Sequence, residues 1–395
     1  MSKAAGKVIL KERQERRVRA GHLWIFSNEI DSIDDADGQG EIVEVLTSRR
    51  TFVGMGYYNR LSLIAVRMLT NRQEAIDEAF FRRRVENALT YRQSIGVDIT
   101  ACRLVYSESD NLPGLIVDRY ADYLAVQILT LGLEQLSGII LGVLTELLQP
   151  RGIVLRNDSP YRALEGLPMA KTAAVGEIPD QIEICEHGLF YAVNLLESQK
   201  TGFYFDQREN RRLVRDLVSS GRVLDCFCYS GGFALNAAAG EATSVLAIDQ
   251  SESAIESAKK NAERNGLTGR IQFETADCFD RLKEMSTAGE QFEVVILDPP
   301  AFVKNRQSVV PGLRGYRDIN LHAMRLLPRD GILVTCSCSH HVDLGEFTNM
   351  LRMAARDSRR KFRILHIGTQ APDHPVLLAM PETQYLKCVV LQAVN

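Results

Sequence analysis

The chain has 395 residues, of which 45% are apolar and 25% are charged, and its net charge is −3. This composition is typical of a globular protein with two or three domains, and it excludes a disordered chain or a small disulfide-stabilised scaffold. The net charge gives no argument for or against an anionic partner. The most apolar stretch, Ile139–Leu148, contains Glu146 and is too short to span a membrane. No apolar segment follows the charged first residues, so the sequence predicts a cytoplasmic protein.

Residues 1–75 are predicted to form a small β-rich module. Short apolar or alternating runs are separated by Gly- and Asp-rich breaks such as Asp34–Gly40, which is the pattern of strands joined by turns. The predicted strands are Lys7–Leu10, Glu41–Leu46, Thr51–Tyr57 and Leu63–Met68.

The first 20 residues carry seven basic side chains and two acidic ones. Such a cluster forms either a solvated surface or a surface that contacts nucleic-acid phosphates, and the sequence leaves both interpretations open. A second basic cluster, Arg82–Arg84 with Arg92, lies on a predicted helix. The functional interpretation assigns RNA contacts to Lys11, Arg13, Arg16, Arg17 and Arg19.

Residues 76–194 are predicted to form a mixed α/β domain. An amphipathic helix over 74–95 leads into it, with apolar residues on one side and arginines on the other. A second helix is expected near Leu133–Leu148, and a His187–Gly188 turn closes a hairpin. The predicted strands are Leu104–Tyr106, Gly114–Asp118, Tyr123–Leu129, Gly152–Arg156, Ile182–Glu186 and Leu189–Val193.

From residue 195 onward, predicted strands and helices alternate regularly. The strands are Val223–Cys226, Ser244–Ile248, Ile271–Glu274, Val294–Leu297, Gly331–Thr335, Phe362–Ile367 and Leu386–Leu391. The helices are Phe233–Ala239, Ser253–Asn265, Asp318–Leu327 and Asp343–Ala355. Repeated βα units of this length predict a doubly wound, mostly parallel sheet, and such sheets bind ligands beyond the carboxyl ends of their strands.

Polar residues follow the first three of these strands. The first strand leads into a turn with Tyr229, Ser230 and Gly231, where glycine lets a ligand approach the backbone closely. Asp249, at the end of the second strand, is suited to accept hydrogen bonds from both ribose hydroxyls. Asp277, after the third strand, is suited to an adenine amino group. Because no phosphate-binding loop is present, the combination favours a nucleoside without phosphates, and S-adenosylmethionine fits. A plain structural turn is the alternative for the glycines.

The fourth strand ends in Asp298, Pro299 and Pro300. The prolines fix the backbone, and the residue before a proline is held extended. In a methyltransferase this segment would supply an acceptor and an apolar surface beside the methyl group, and a flat base would fit between the prolines and Phe302. A stiff structural turn is the alternative interpretation.

The chain has eight cysteines, and their spacing lacks the pattern of a structural zinc site, so no metal is predicted. Cys336 and Cys338 lie at the end of the fifth strand. A thiolate there could add to carbon 6 of a cytosine and make carbon 5 nucleophilic. Strand alternation gives both cysteines the same face, but Cys338 lies further out. We therefore predict Cys338 as the nucleophile and Cys336 as a packing residue, with two buried structural cysteines as the alternative.

Taken in order, these motifs resemble those of the PUA-domain-containing RNA cytosine-5 methyltransferases, whose bacterial members include an enzyme acting on 23S ribosomal RNA. The resemblance covers essentially the whole chain. Besides Asp249, the motifs that carry it are VILKERQERRVRAGHLWIFSNEI (8–30), NLPGLIVDRY (111–120), KTGFYFDQRENR (200–211), LDCFCYSGGF (224–233), ETADCFD (274–280), DPPAF (298–302) and TCSCSHH (335–341).

This resemblance implies a PUA-like RNA-binding domain over 1–75, a central α/β domain over 76–194 and a class I, Rossmann-like methyltransferase domain over 195–395. It implies S-adenosylmethionine as the methyl donor, ribosomal RNA as the substrate, Cys338 as the nucleophile and often a homodimer. Phe205, Asp206 and Arg208 are expected to close over the cofactor. Ala301 occupies a region where related enzymes carry a second cysteine, which argues against a two-cysteine mechanism here.

Two classes of function remain open at this stage. The first is an RNA cytosine-5 methyltransferase. The second is a methyltransferase for another substrate, or an RNA-binding protein without catalysis, since a fold alone does not determine a function. The joint presence of Asp298, Pro299 and Cys338 favours catalysis.

Overall fold

The computed structural model describes residues 4–198 and 201–394. Lys3 of the basic cluster and Lys200 of the 200–211 motif lie outside the described residues. The backbone forms two compact units. The first contains the residues up to Ile184 with Val193–Phe205 and Pro372–Thr383, and the second contains Cys185–Ala192, Asp206–Ala371 and the residues from Gln384 onward. The domain boundaries at residues 75 and 194 stay predictions.

A six-stranded sheet forms the N-terminal part of the first unit. Its elements are β1 (Gly6–Leu10), α1 (Glu15–Arg19), β2 (Trp24–Ile25), β3 (Ile30–Asp34), β4 (Gln39–Leu46), β5 (Phe52–Asn59) and β6 (Val66–Thr70). The strands lie in the order β2-β6-β5-β4-β1-β3, and each of the four predicted strands overlaps one of them. The sequence pattern misses β3, because this edge strand buries none of its side chains and therefore shows no apolar run.

A second sheet, of five strands in the order β11-β10-β9-β8-β7, completes the first unit. The elements are α2 (Glu78–Ser94), β7 (Ala101–Tyr106), β8 (Leu115–Tyr120), β9 (Tyr123–Ile128), α3 (Leu131–Gln135), α4 (Ser137–Leu148), β10 (Gly152–Asn157) and β11 (Ala170–Gly176). The helix predicted from residue 74 begins later, because Asp77 caps it by accepting a hydrogen bond from the Phe80 amide. The edge strand β11 is almost entirely exposed, which explains why no apolar pattern predicts it.

A two-stranded hairpin follows, formed by β12 (Ile182–Glu186) and β13 (Leu189–Val193). The predicted turn is confirmed: His187 and Gly188 both have positive φ, at 50° and 80°. Two-residue turns of this kind match the twist of the strands they join.

The second unit is built on a seven-stranded sheet in the order β16-β15-β14-β17-β18-β20-β19. Its strands are β14 (Arg222–Cys226), β15 (Ser244–Asp249), β16 (Ile271–Thr275), β17 (Val294–Leu297), β18 (Ile332–Ser337), β19 (Phe362–Gly368) and β20 (Lys387–Ala393). The first five strands pair in parallel, and β20 runs antiparallel to both β18 and β19. The predicted mostly parallel, doubly wound sheet is confirmed, and its strand order reverses between β14 and β17.

The helices of the second unit are α5 (Arg208–Leu217), α6 (Gly232–Ala239), α7 (Glu252–Arg264), α8 (Cys278–Ala288), α9 (Val309–Arg325) and α10 (Leu344–Ser358). The prediction that α9 begins at Asp318 is wrong. Pro311 lies in the first turn of the helix, where a missing N–H costs nothing. Gly312 lets the helix lie against the preceding loop, because a Cβ there would come within 2.3 Å of Val303 Cγ2. Among the described residues, no helix has both the length and the apolar character that crossing a membrane requires.

A buried ion pair within the first unit provides a test of this packing. Glu165 accepts hydrogen bonds from Asn59, Ser62 and Arg67, the last at 2.7 Å. Burial alone would raise the pKa of Glu165, but the Arg67 guanidinium and the other donors lower it below the ordinary range. The contribution of the ionised pair to stability is therefore present at neutral pH and is lost as the pH falls through this lowered pKa.

We expect Arg67→Met to lower the free energy of unfolding by about 3–5 kcal/mol at neutral pH, because it leaves the Glu165 carboxylate buried without its cation. The loss should be smaller at an acidic pH than at neutral pH, because Glu165 in the variant is buried without its cation and therefore takes up a proton more readily than in the wild type. Urea unfolding at both pH values measures this. The control is Arg82→Met, which removes exposed ion pairs with Glu78 and Glu146 and should cost no more than about 1 kcal/mol. An equal effect of the two substitutions would contradict the expectation.

Candidate active site

The loop after β14 has an unusual backbone conformation. Phe227, Tyr229 and Gly231 all have positive φ, at 64°, 49° and 83°. Gly231 precedes α6, and a Cβ at this position would lie 2.7 Å from Leu235 Cδ1, so the turn requires glycine. Non-glycine residues in left-handed conformations cost energy and occur preferentially at binding sites. The loop therefore has the character of a ligand-binding turn.

Asp249, at the end of β15, connects two loops. Its carboxylate accepts hydrogen bonds from the Tyr229 amide and the Ser251 amide, both at 2.9 Å. The side chain is partly exposed, and a carboxylate with two such bonds retains further lone pairs for a ligand. The structure thus brings together Asp249 and the predicted turn of Tyr229, Ser230 and Gly231.

Asp225, on β14, is a carboxyl group in the interior of the second unit. The side chain is fully buried, and neither oxygen has a hydrogen-bond partner of good geometry within the described residues. Burial, followed by repulsion from Asp298, raises the pKa of Asp225 well above its usual range. The Ala234 amide opposes this shift, and the negative charge of Asp249 adds to it. A buried carboxyl group without a partner fits a ligand that brings a positive charge, such as the ammonium group of S-adenosylmethionine. In the sequence, Asp225 is visible only as part of the 224–233 motif, and its burial without a partner becomes visible in the structure.

Asp277 has a structural role that the sequence does not distinguish from binding. Its Oδ1 caps α8 by accepting hydrogen bonds from the Phe279 amide at 2.8 Å and the Asp280 amide at 3.3 Å. The helix cap accounts for an acid at this position. The contact with adenine stays a prediction.

Asp298, directly after β17, is held by a residue that the sequence analysis missed. Gln207 Nε2 donates to Asp298 Oδ1 at 2.8 Å, and the side-chain oxygen Oε1 of Gln207 accepts from Asn210 Nδ2 at 2.6 Å. Gln207 and Asn210 are both buried, so this side-chain relay is fixed in place. The 200–211 motif contains both residues and was the available signal. Of the two prolines that follow, Pro299 is buried and Pro300 is exposed.

Phe302 belongs to an aromatic cluster. Its ring centroid lies 4.6 Å from that of Tyr316, 5.5 Å from Phe279 and 6.4 Å from Phe227. Phe302 is only partly buried, so one part of it packs on the core while another part is accessible. The predicted stacking of a substrate base on this ring stays a prediction.

A hydroxyl relay joins the loop after β17 to the loop after β18. The Tyr316 and Ser339 hydroxyl oxygens lie 2.9 Å apart, and Ser339 Oγ accepts a hydrogen bond from the Val303 amide at 3.1 Å. The segment around Phe302 is thereby tied to the residue that follows Cys338. The two predicted substrate-side motifs are therefore held as one assembly.

The two cysteines of the fifth motif have different surroundings. Cys336 lies within β18, is fully buried and is paired in register with Cys388 of β20. A hydrogen bond with the Cys388 thiol, followed by burial, raises the pKa of Cys336 well above its usual range. Cys338 is the first residue after β18 and is partly exposed. Of the two, Cys338 is the thiol that a substrate can reach.

The three residues expected to close over the cofactor are all buried in contacts within their own units. Phe205 packs against Tyr120, with ring centroids 5.0 Å apart, in the first unit. In the second unit, Asp206 accepts a hydrogen bond from the Tyr385 hydroxyl at 2.6 Å, and Arg208 Nε lies 3.4 Å from a Glu186 oxygen. Their role toward the cofactor stays a prediction.

The basic residues near the N-terminus divide into two groups. Arg17 is partly buried, donates to both Glu29 oxygens at 3.0 and 2.9 Å, and also donates to the Trp24 carbonyl. These bonds give Arg17 a structural role, and its contact with a phosphate stays a prediction. Of the five residues assigned to RNA contacts, Lys11, Arg13, Arg16 and Arg19 are exposed.

Comparison with known proteins agrees with this geometry. Residues 8–71 match the PUA-like domain family, and residues 125–375 match the S-adenosylmethionine-dependent methyltransferase family. A solved structure assigned as a SAM-dependent methyltransferase from Streptococcus mutans has a TM-score of 0.84 at 19% sequence identity, with 98% of this chain and 99% of that chain covered. A further methyltransferase structure, solved in complex with SAH, has a TM-score of 0.85 at 19% identity over the same shares.

The fold and the strand-end site thus define an S-adenosylmethionine-dependent methyltransferase that carries a PUA-like domain, as the sequence predicts. The ribosomal RNA large subunit methyltransferase I of Tolumonas auensis is 39% identical over 393 residues, which are 98% of this chain and 99% of that protein. The protein of the same name from Klebsiella pneumoniae strain 342 is 36% identical over 388 residues, 96% of each chain. The chain belongs to this ribosomal RNA large subunit methyltransferase I family. Among the residues that the structure describes, no group of three or more His, Cys, Asp or Glu side chains could hold a metal ion.

We expect Asp249→Asn to weaken binding of S-adenosylmethionine by about 1–3 kcal/mol, because one acceptor for the ribose hydroxyls becomes a donor. Isothermal titration calorimetry measures the affinity. Glu252→Gln is the matched control, since Glu252 is an exposed acid at the start of the following helix and should leave the affinity unchanged. Wild-type affinity in a folded Asp249→Asn variant would refute the assignment of the ribose to Asp249.

Proposed function

We propose that this protein methylates carbon 5 of a cytosine in the RNA of the large ribosomal subunit, 23S RNA, through a covalent adduct with Cys338. The relatives that cover 98% and 96% of the chain are named for ribosomal RNA, which supports the substrate class. The observation that carries the choice of chemistry is the partly exposed thiol directly after β18, in a loop tied by Ser339 and Tyr316 to the segment after Asp298. The homodimer and the cytoplasmic location are further parts of this proposal.

The cofactor side of the proposed site consists of the strand-end acids. Asp249 would hold the ribose, Asp277 the adenine and Asp225 the ammonium group, with Tyr229, Ser230 and Gly231 beneath the methionine end. Phe205, Asp206 and Arg208 are proposed to enclose it. S-adenosylmethionine supplies an electrophilic methyl group when bound. The buried carboxyl group of Asp225, which has no hydrogen-bond partner of good geometry within the described residues, supports placing the ammonium end of the cofactor there.

The substrate side follows from the chemistry of cytosine. The base leaves its stacked position, as base-modifying enzymes require, and lies against Pro299, Pro300 and Phe302. The Cys338 thiolate adds to carbon 6, which breaks the 5,6 double bond and makes carbon 5 nucleophilic. Asp298, oriented by Gln207, binds the amino group and nitrogen 3 and stabilises the charge that develops there. After carbon 5 has gained the methyl group, loss of its proton and departure of the thiolate restore the double bond.

The mechanism predicts opposite outcomes for the two cysteines. Cys338→Ala should abolish methylation and leave S-adenosylmethionine binding intact, whereas Cys336→Ala should mainly lower stability because it removes a buried side chain. RNA that contains 5-fluorocytosine should form a stable adduct with the wild type, because fluorine blocks the final loss of the proton. Mass spectrometry of the adduct locates the cysteine, and an adduct on Cys336 would overturn the assignment.

Nucleoside analysis separates the proposed function from its alternatives. The protein is incubated with tritiated S-adenosylmethionine and deproteinised large-subunit RNA, and the RNA is digested. Label in 5-methylcytidine supports the proposal. Label in another nucleoside or in protein, with none in 5-methylcytidine, excludes it and favours a methyltransferase for a different substrate. No incorporation by the folded protein favours an RNA-binding role.

The PUA-like domain is proposed to bind RNA through Lys11, Arg13, Arg16 and Arg19. We expect Arg16→Glu with Arg19→Glu to weaken RNA binding and to reduce the slope of log affinity against log salt by about one to two units, because two phosphate contacts are lost. Filter binding at several salt concentrations measures both quantities. The control, Lys259→Glu with Lys260→Glu on α7, reverses two exposed charges of the second unit and should have a smaller effect. An unchanged affinity and slope in the arginine variant would assign those residues to a solvated surface.

A further inference from the structure

A buried lysine lies beside the loop that carries Cys338. Lys387 is the first residue of β20, pairs in register with Ser337 and is 7% exposed. Its Nζ donates to the Ser339 carbonyl at 2.7 Å and to the Tyr385 carbonyl at 2.8 Å. Both acceptors are neutral, so these bonds orient the ammonium group without neutralising it. Burying a charge in this way is costly, and hydrogen bonds to two carbonyls alone do not account for it.

The groups that face this lysine point to the source of compensation. Burial lowers the pKa of Lys387 to about 8, and the negative forms of Cys338, Asp343 and Glu346 oppose that change, with Cys338 first among them. Asp343 and Glu346 are exposed and already accept hydrogen bonds from each other's backbone amides at the start of α10. At neutral pH the lysine therefore stays mostly protonated, and a deprotonated Cys338 would compensate its charge more than either of the two acids.

We propose that Lys387 is a positioning residue for Cys338, holding the loop through the Ser339 carbonyl and stabilising the deprotonated sulfur by its positive charge. A neighbouring cation is an established means of making a cysteine ionise near neutral pH. The inference rests on the proposed function only in taking Cys338 as the nucleophile. It explains why an ammonium group, and not a neutral donor, lies behind the fifth motif.

The test measures the ionisation of Cys338 without RNA or cofactor. The protein is treated with iodoacetamide from pH 6 to pH 10, and the rate at each cysteine is read by peptide mass spectrometry. Exposed Cys185 serves as the internal reference. Lys387→Gln keeps a hydrogen-bond donor but removes the charge, Lys387→Arg keeps both, and Lys361→Gln removes an exposed lysine of the same unit.

In the wild type, the midpoint of the Cys338 profile should lie below that of Cys185. In Lys387→Gln the midpoint should rise by about one pH unit, which lowers the fraction of thiolate at pH 7. Because a thiolate with a higher pKa is also the stronger nucleophile, the rate of alkylation at pH 7 should fall by only about threefold. Lys387→Arg and Lys361→Gln should keep the wild-type profile, and Cys185 should not change in any variant.

A purely structural role predicts a different pattern, in which Lys387→Gln retains the wild-type midpoint; that result would overturn the inference. Should the glutamine variant fail to fold, the wild-type profile alone decides, because a Cys338 midpoint at or above that of Cys185 also refutes it. A low midpoint without an adduct on 5-fluorocytosine RNA would refute the proposed function and leave the role of Lys387 standing. An adduct together with a Cys338 midpoint at or above that of Cys185 would support the proposed function and refute the role of Lys387.

Discussion

The order of the parallel strands in the second unit determines where its chemistry can occur. Because β14 to β18 all run in one direction, their carboxyl ends meet at a single edge of the sheet, and the order reverses between β14 and β17. Residues separated by more than a hundred positions in the chain, such as Asp225 and Cys338, are placed along this edge by backbone hydrogen bonds alone. The loops then need only short connections to fix them: an amide bonded to Asp249, an amide side chain bonded to Asp298, and a hydroxyl relay through Ser339.

The site combines two kinds of local environment that favour opposite charge states. Around Asp225 and Cys336, burial and like neighbours disfavour ionisation. At Cys338, which is partly exposed, the proposed effect of the Lys387 ammonium group is the opposite. Two thiols of one motif, separated by a single serine, thus differ because one is inside the sheet and the other is just outside it. The separation of roles depends on where β18 ends more than on the residue types themselves.

Sequence patterns predicted the strands and their terminal acids well, because these depend on local apolar runs and on turn residues. They predicted poorly where a distant contact determines the role of a residue. The sequence misses the start of α9 because Gly312 serves close packing against Val303. It also gives no sign that Arg17 is bound to Glu29, 12 residues away. An aspartate at position 277 suits both a helix cap and a ligand contact, so the sequence alone does not separate these two roles. Lys387 gives no signal in the sequence, since its partner Ser339 lies 48 residues away, in the loop after β18.

In its proposed role beside the ammonium group of the cofactor, the carboxyl group of Asp225 would link ligand binding to protons. A carboxyl group whose pKa is raised in this way holds its proton in the free protein to a higher pH than an ordinary aspartate does. A cation that binds beside it favours the ionised form, so the proton is released as the cation arrives. Affinity for such a ligand therefore increases with pH over the range in which the free protein is still protonated. A bound cation would also give the buried carboxyl group the partner that it lacks in the free protein. Ligand binding should therefore stabilise the folded state against unfolding.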